Sequence, residues 1–268
     1  MSYRILLLII MLSPDLKPAF EKVESGAFGL SLGNAVVAIP SVSSAVFYNP
    51  AALDVYGDFC AEFSLRNFYG LPGLSQVDLA INFALFNQPS AVVISRYGNS
   101  IYQEYQIFCA GLVPINPDFR LGISFQTYFL SINGYGTDNS YGLNLGILYA
   151  LSPEINCAAV VYNMNQPVIG QNGEYLPQGF SLGFSFYPEK QLVFAGEIFR
   201  DLRHAPDYRL GIAYKFDLPL AVRIGIQDMT NCYCVGLGTV FSAFKLDYAF
   251  QIQQILGVSH IFSISFAL

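Results

Sequence analysis

Arg120-Leu121-Gly122-Ile123-Ser124-Phe125-Gln126-Thr127-Tyr128-Phe129 is the stretch that decides the fold. Leu121, Ile123, Phe125, Thr127 and Phe129 alternate with Arg120, Gly122, Ser124 and Gln126. Side chains of an extended chain point to opposite faces in turn, so one face here is apolar and the other small or polar. Phe59, Ala61, Phe63 and Leu65 alternate in the same way with Cys60, Glu62, Ser64 and Arg66. Val77, Leu79, Ile81, Phe83 and Leu85 do so with Asp78, Ala80, Asn82 and Ala84. Segments 141–151, 180–186, 208–216, 220–226, 244–252 and 262–268 repeat the pattern, and 90–97, 101–113, 154–163, 191–200 and 231–241 follow it less cleanly. Together they make about 14 strands, an even number as in bacterial outer-membrane barrels.

Composition says which side the apolar face takes. Charged residues are 12% of the 268, against roughly 25% in a soluble domain, while 53% are hydrophobic and 15% aromatic. Past the N-terminus no apolar run reaches the ~18 residues of a membrane helix. Strands that turn every second residue to lipid satisfy both facts. The expectation is an all-β protein: a transmembrane antiparallel β-barrel of about 14 strands over 58–268, with outer-membrane lipid as its first partner. Connections support it. Those at 87–89, 114–117, 152–153, 188–190, 217–219 and 242 are short, and the intervening ones at 67–75, 133–140, 165–177 and 201–206 are longer. Short periplasmic turns opposite longer extracellular loops are the outer-membrane arrangement. A net charge of −6 and a pI near 4.8 argue against a nucleic-acid partner.

The N-terminus reads as two further parts. Arg4 followed by apolar Ile5 to Leu12 has the form of a secretory signal, placed at 1–19 with the cleavage point open. Residues 20–57 do not alternate. They are rich in Gly, Ser and Ala, with Gly26, Gly29 and Gly33 spaced for close packing, and carry Val36, Val37, Ile39, Val42, Val46 and Phe47, too many apolar side chains to leave in water. Within Ser44-Ala-Val-Phe47-Tyr48-Asn49-Pro50-Ala51-Ala-Leu53, Asn49 and Pro50 read as the start of a short helix that Gly57 allows to stop. Barrels of about eight strands are filled by their own side chains, and those of 16–18 hold an aqueous channel. About 14 strands leave room for a segment of this size. The expectation is an N-terminal plug, or hatch, inside the lumen.

With the apolar face outward, Glu62, Asp78, Glu104, Arg120, Glu197, Arg209, Lys215, Arg223, Lys245 and Asp247 fall on the inner face. They form either a structural ion-pair network or a selectivity lining. Cys60, Cys109, Cys157, Cys232 and Cys234 are odd in number and form no disulfide framework, and Cys232-x-Cys234 alone falls short of a metal site. His204 and His260 have no nucleophile motif beside them. The chain reads as no enzyme, with no metal and no cofactor.

Gly29-Leu-Ser-Leu-Gly33-Asn-Ala35, Ser43-Ser-Ala45 and Phe47-Tyr-Asn49-Pro50-Ala51 resemble the N-terminal hatch of the FadL family of outer-membrane transporters, and more closely that of the related PorV/PorQ-type proteins. Leu210-Gly-Ile-Ala-Tyr214, Val222-Arg-Ile-Gly225, Gly236-Leu-Gly238, Leu246-Asp-Tyr-Ala-Phe250 and Leu256-Gly-Val-Ser-His260 extend the likeness to PorV-type chains. Ser41-Val42-Ser43 stands where such hatches often carry an acidic residue. The resemblance implies a 14-stranded barrel with an inward-folded hatch. It implies a plugged channel for hydrophobic small molecules, with Phe47, Tyr48 and Leu53 as ligand contacts and Gly29, Gly33, Asn49, Pro50 and Ala51 shaping the hatch. The alternative it implies is a non-conducting, secretion-associated barrel with a protein partner.

Overall fold

The structure is a computed structural model that describes residues 19–21, 24–40, 44–54, 59–170 and 172–268. Residues 1–18 of the expected signal sequence, the Ser41-Val42-Ser43 departure and Gly57 lie outside the described residues. The chain first forms β1 (Phe59–Asn67), β2 (Ser75–Leu85), β3 (Gln88–Gly98), β4 (Tyr102–Pro114), β5 (Phe119–Ile132), β6 (Gly136–Ser152) and β7 (Ile155–Tyr162). A small hairpin, β8 (Val168–Ile169) and β9 (Glu174–Tyr175), follows. Then come β10 (Gly179–Glu189), β11 (Leu192–Asp201), β12 (Asp207–Lys215), β13 (Leu220–Gln227), β14 (Cys232–Phe241), β15 (Phe244–Gln253) and β16 (Gly257–Ala267). All but the hairpin strands close into one antiparallel barrel of 14 strands. β7 pairs with β10, and β1 pairs with β16 from Cys60 opposite Ala267 to Asn67 opposite His260, so no edge is left open.

The outer face is apolar at mid-strand. Phe63, Leu79, Ile94, Ile123, Phe125, Leu182, Leu210, Ile224, Leu237 and Phe262 are 40–54% exposed. On the alternate face Ser64, Asp78, Ser124, Asn144, Ser181, Arg209, Arg223 and Asp247 are at most 5% exposed. The barrel thus inverts the soluble pattern, with polar groups inside and oily ones outside.

Two expectations about connections need correction. Residues 133–140 were expected as one of the longer connections, yet Thr137, Asp138, Asn139 and Ser140 all pair with β5 in register. The connection is only 133–135; Gly134 within it and Gly136 directly after it take positive φ and let the chain reverse at once. The last strand likewise starts at Gly257, five residues before the alternating segment 262–268. Connections at the short-turn end are two to four residues, and those at the other end run from three to sixteen, so the two ends differ less than expected.

Within the ring of strands lie α1 (Ala27–Ser31), α2 (Ala45–Tyr48) and a 3₁₀ turn (Pro50–Ala52). α1 packs on β13, β14, β15 and β16, and the 3₁₀ turn on β4, β5 and β6. Those two groups stand on opposite sides of the ring. The interior core combines Leu32, Val36, Val37, Val46 and Phe47 with Val93, Phe108, Leu112, Leu148 and Val160 from the wall.

Candidate functional site: the barrel interior

Asn49 braces the N-terminal segment. Its backbone is extended, so it caps the 3₁₀ turn, and its Oδ1 accepts from the Ala51 N–H at 2.9 Å. Its Nδ2 donates to Val37 O at 2.8 Å and to Ile147 O of β6 at 3.2 Å. One side chain therefore ties the turn, the earlier part of the segment and the wall together. Pro50 at the first position of the turn gives up no hydrogen bond there. The wall carries glycine at several points where the segment approaches it most closely. A Cβ on Gly122 would overlap Pro50 and Ala51, one on Gly146 would overlap the Asn49 side chain, and one on Gly225 would overlap Leu32 and Gly33.

The expected ligand contacts divide. Phe47 sets its ring edge-on to Phe108 at 5.0 Å and borders a cavity of about 40 Å³ with Phe20, Tyr128, Tyr162 and Phe199. Tyr48 is 2% exposed, and its hydroxyl donates to Ser25 O and Asn34 Oδ1, both at 2.9 Å. Burial raises that phenol well above its ordinary value, so it stays a donor. Leu53 is fully buried in the core. Of the three, Phe47 borders this cavity and Tyr48 and Leu53 do not. Gly29 and Gly33 both stand where a side chain cannot. A Cβ at Gly29 would overlap the Tyr48 phenol, and one at Gly33, whose φ is 62°, would meet Ile226 O of β13 at 2.7 Å.

The inner charges form two groups. Arg209 of β12 ion-pairs with Glu24 of the segment at 2.6 Å, with Asp207 at 2.6 Å and with Glu197 at 3.7 Å, and lies 4.7 Å over the Phe199 ring. Glu197 also accepts from the Val37 N–H at 3.2 Å. Toward the short-turn end Asp247 pairs with Arg223 and Lys245, each at 2.8 Å, and both cations lie 4.8 Å from the Phe28 ring. Glu62 accepts from Ser265. Asp78 accepts from Ser64, Gln76 and Ser25. Glu104 accepts from the Phe20 N–H at 3.0 Å. Arg120 and Lys215 share the inward phase but sit at the short-turn mouth, half-buried and exposed respectively. Most of these charges therefore pair or bond with the segment or with each other, as a structural network does. Among the described residues no cluster of three or more His, Cys, Asp or Glu has a metal-binding arrangement.

No family model matches the chain, and no curated protein matches it. Solved structures do. The chain is similar to a TodX monoaromatic hydrocarbon channel mutant (TM-score 0.69, 12% identity, 91% of this chain and 99% of that one). It is similar to the CymD monoaromatic hydrocarbon channel (0.68, 15%, 92% and 98%) and to a Pseudomonas aeruginosa FadL homologue (0.60, 11%, 91% and 98%). The chain shares the fold of these barrels.

The sequence reading of this barrel missed Glu24, Asp207, Phe20 and the wall glycines. The glycines carried a signal, since an isolated Gly inside a strand marks close backbone approach. Glu24 carried none, because its partner lies far along the chain. Glu24→Gln removes one of three carboxylates from Arg209. Breaking a buried pair typically costs about 3–5 kcal/mol, but Asp207 and Glu197 remain, so about 1–2 kcal/mol is expected in denaturant unfolding of the detergent-solubilised protein.

Proposed function

We propose that this protein is a plugged outer-membrane channel for small hydrophobic molecules. Residues 1–19 serve as its export signal, 20–57 as its hatch and 58–268 as the lipid-embedded wall. The observation that carries the reading is that residues 27–31 and 50–52 pack on opposite sides of the inside of a closed barrel whose outer face is oily. The likeness to hydrocarbon channels supports the fold on which it rests. Phe47 and the aromatic rings around it are the solute contacts, and Tyr48 and Leu53 hold the hatch in shape behind them. Burial of a ring there draws on about 25 cal/mol per Å² of apolar surface. The wall is hydrogen-bonded all the way round, so passage requires the hatch to shift or two strands to part.

The membrane part is tested by Ile224→Arg on β13. An arginine on the lipid face near the midplane costs about 2–4 kcal/mol, read as loss of folded barrel after refolding into lipid vesicles. Equal refolding yields for the variant and the parent would refute lipid exposure there. The transport part is tested by uptake of radiolabelled toluene at limiting concentration into cells whose outer membrane carries this protein. Faster uptake than in cells without it is expected. Uptake at the background rate, together with a co-purifying protein, favours the secretion-associated alternative.

A further inference from the structure

At the long-loop end of the lumen lies a second cavity of about 520 Å³, within the ~300–1,000 Å³ typical of small-molecule sites. Its lining does not suit a hydrocarbon. Leu256 is its one aliphatic side chain among the described residues. Around it stand Arg66, Gln76, Gln227, Thr230, Gln251 and Gln253, with aromatic rings from Phe68, Tyr69, Tyr97 and Tyr102. An apolar solute here would strip water from these groups and return no hydrogen bond.

The polar groups are held in fixed positions. Arg66 donates to Gln251 Oε1 at 2.7 Å, Gln251 donates to Gln227 Oε1 at 3.3 Å, and Thr230 donates to the same oxygen at 3.1 Å. Gln227 is in turn anchored to Gly33 O at 3.1 Å. Arg66 is 8% exposed, lies 4.3 Å over the Phe68 ring, and has no hydrogen-bond partner at Nε. Among the described residues no carboxylate lies within ion-pair distance of it. An anion is disfavoured all the same, because Glu21, Glu24 and Glu104 border the same cavity. What fits is an uncharged ligand with many hydroxyls and one apolar face. Vicinal hydroxyls both donate and accept, matching planar amide and guanidinium forks, and the C–H face of a sugar ring packs on an aromatic ring.

We infer that this vestibule binds a pyranose saccharide, free or as the end unit of a larger glycan. The inference goes beyond the proposed channel and does not depend on it, since it involves neither Phe47 nor passage through the lumen.

The test is saturation-transfer NMR on the full chain in lauryldimethylamine oxide, a detergent without sugar. The probes are methyl glucoside, galactoside and mannoside, plus one soluble oligosaccharide, with toluene and phenol for comparison. Transfer to the ring protons of at least one pyranoside is expected, with a dissociation constant on the order of 1 mM. Arg66→Met and Gln251→Leu should each weaken it about tenfold or more, because they leave hydroxyls unpaired. Gln253→Leu gives the same comparison if Arg66→Met does not fold. Transfer from the oligosaccharide alone assigns the site to glycan ends, and transfer from the monosaccharides to free sugar. No transfer from any saccharide overturns the inference, as does binding that every folded variant leaves unchanged.

Discussion

Gly225→Val unseats the N-terminal segment. Gly225 faces inward from β13, and the atoms its Cβ would meet are the backbone of Leu32 and Gly33. Backbone on both sides leaves no flexible side chain to swing away, unlike ordinary overpacking at about 1–3 kcal/mol. Gly33 cannot retreat, because its own φ of 62° and its contact with Ile226 fix it. The expected result is a loss above about 3 kcal/mol of the free energy holding the segment, while the hydrogen-bonded ring stays folded. Limited proteolysis of the detergent-solubilised protein reads it as cleavage within 24–54 with the barrel intact, and planar-bilayer recordings read it as raised conductance. Gly111→Val is the control. Gly111 is also within a barrel strand, but its nearest neighbour to an added Cβ is Ser90 Oγ at 4.0 Å, so a change within about 0.5 kcal/mol is expected. Equal protection of the segment in the two variants would show that the Gly225 contact holds nothing in place.

Asn49→Ala has the second large effect, about 3–5 kcal/mol in chemical unfolding. The side chain is fully buried, and its removal leaves Val37 O, Ile147 O and the Ala51 N–H each short of a partner, at about 1–3 kcal/mol for a buried group. Asn49→Asp separates its two roles. Aspartate keeps the oxygen that caps the 3₁₀ turn but cannot donate to the two carbonyls. If bracing dominates, Asp is as damaging as Ala. If capping dominates, Asp behaves like the parent, and the view of Asn49 as the tie between segment and wall is wrong.

Much of this was readable in the chain. Leu121, Ile123 and Phe125 announce their face by a period of two, which a strand imposes on neighbouring residues without help from the rest of the protein. Fourteen such stretches, each bounded by its own turn residues, give the strand count. Asn49-Pro50 was legible for the same reason, since capping acts within three residues. The run Thr137 to Ser140 was misread as connection because β5 and β6 extend further than their neighbours. Of the ten inner charges, the phase was legible for all, but the partners were not.

What the sequence determined by itself is the wall: which residues alternate, how many strands they make, and which face is oily. These follow from interactions within a few residues. Only the tertiary structure decided what fills the lumen and how. Glu24 meets Arg209, Gly33 meets Gly225, and Asn49 meets Ile147 because closing the ring brings its inner face around the N-terminal segment. No local period links residues so far apart, so charge, glycine and amide acquire their partners only when the barrel closes.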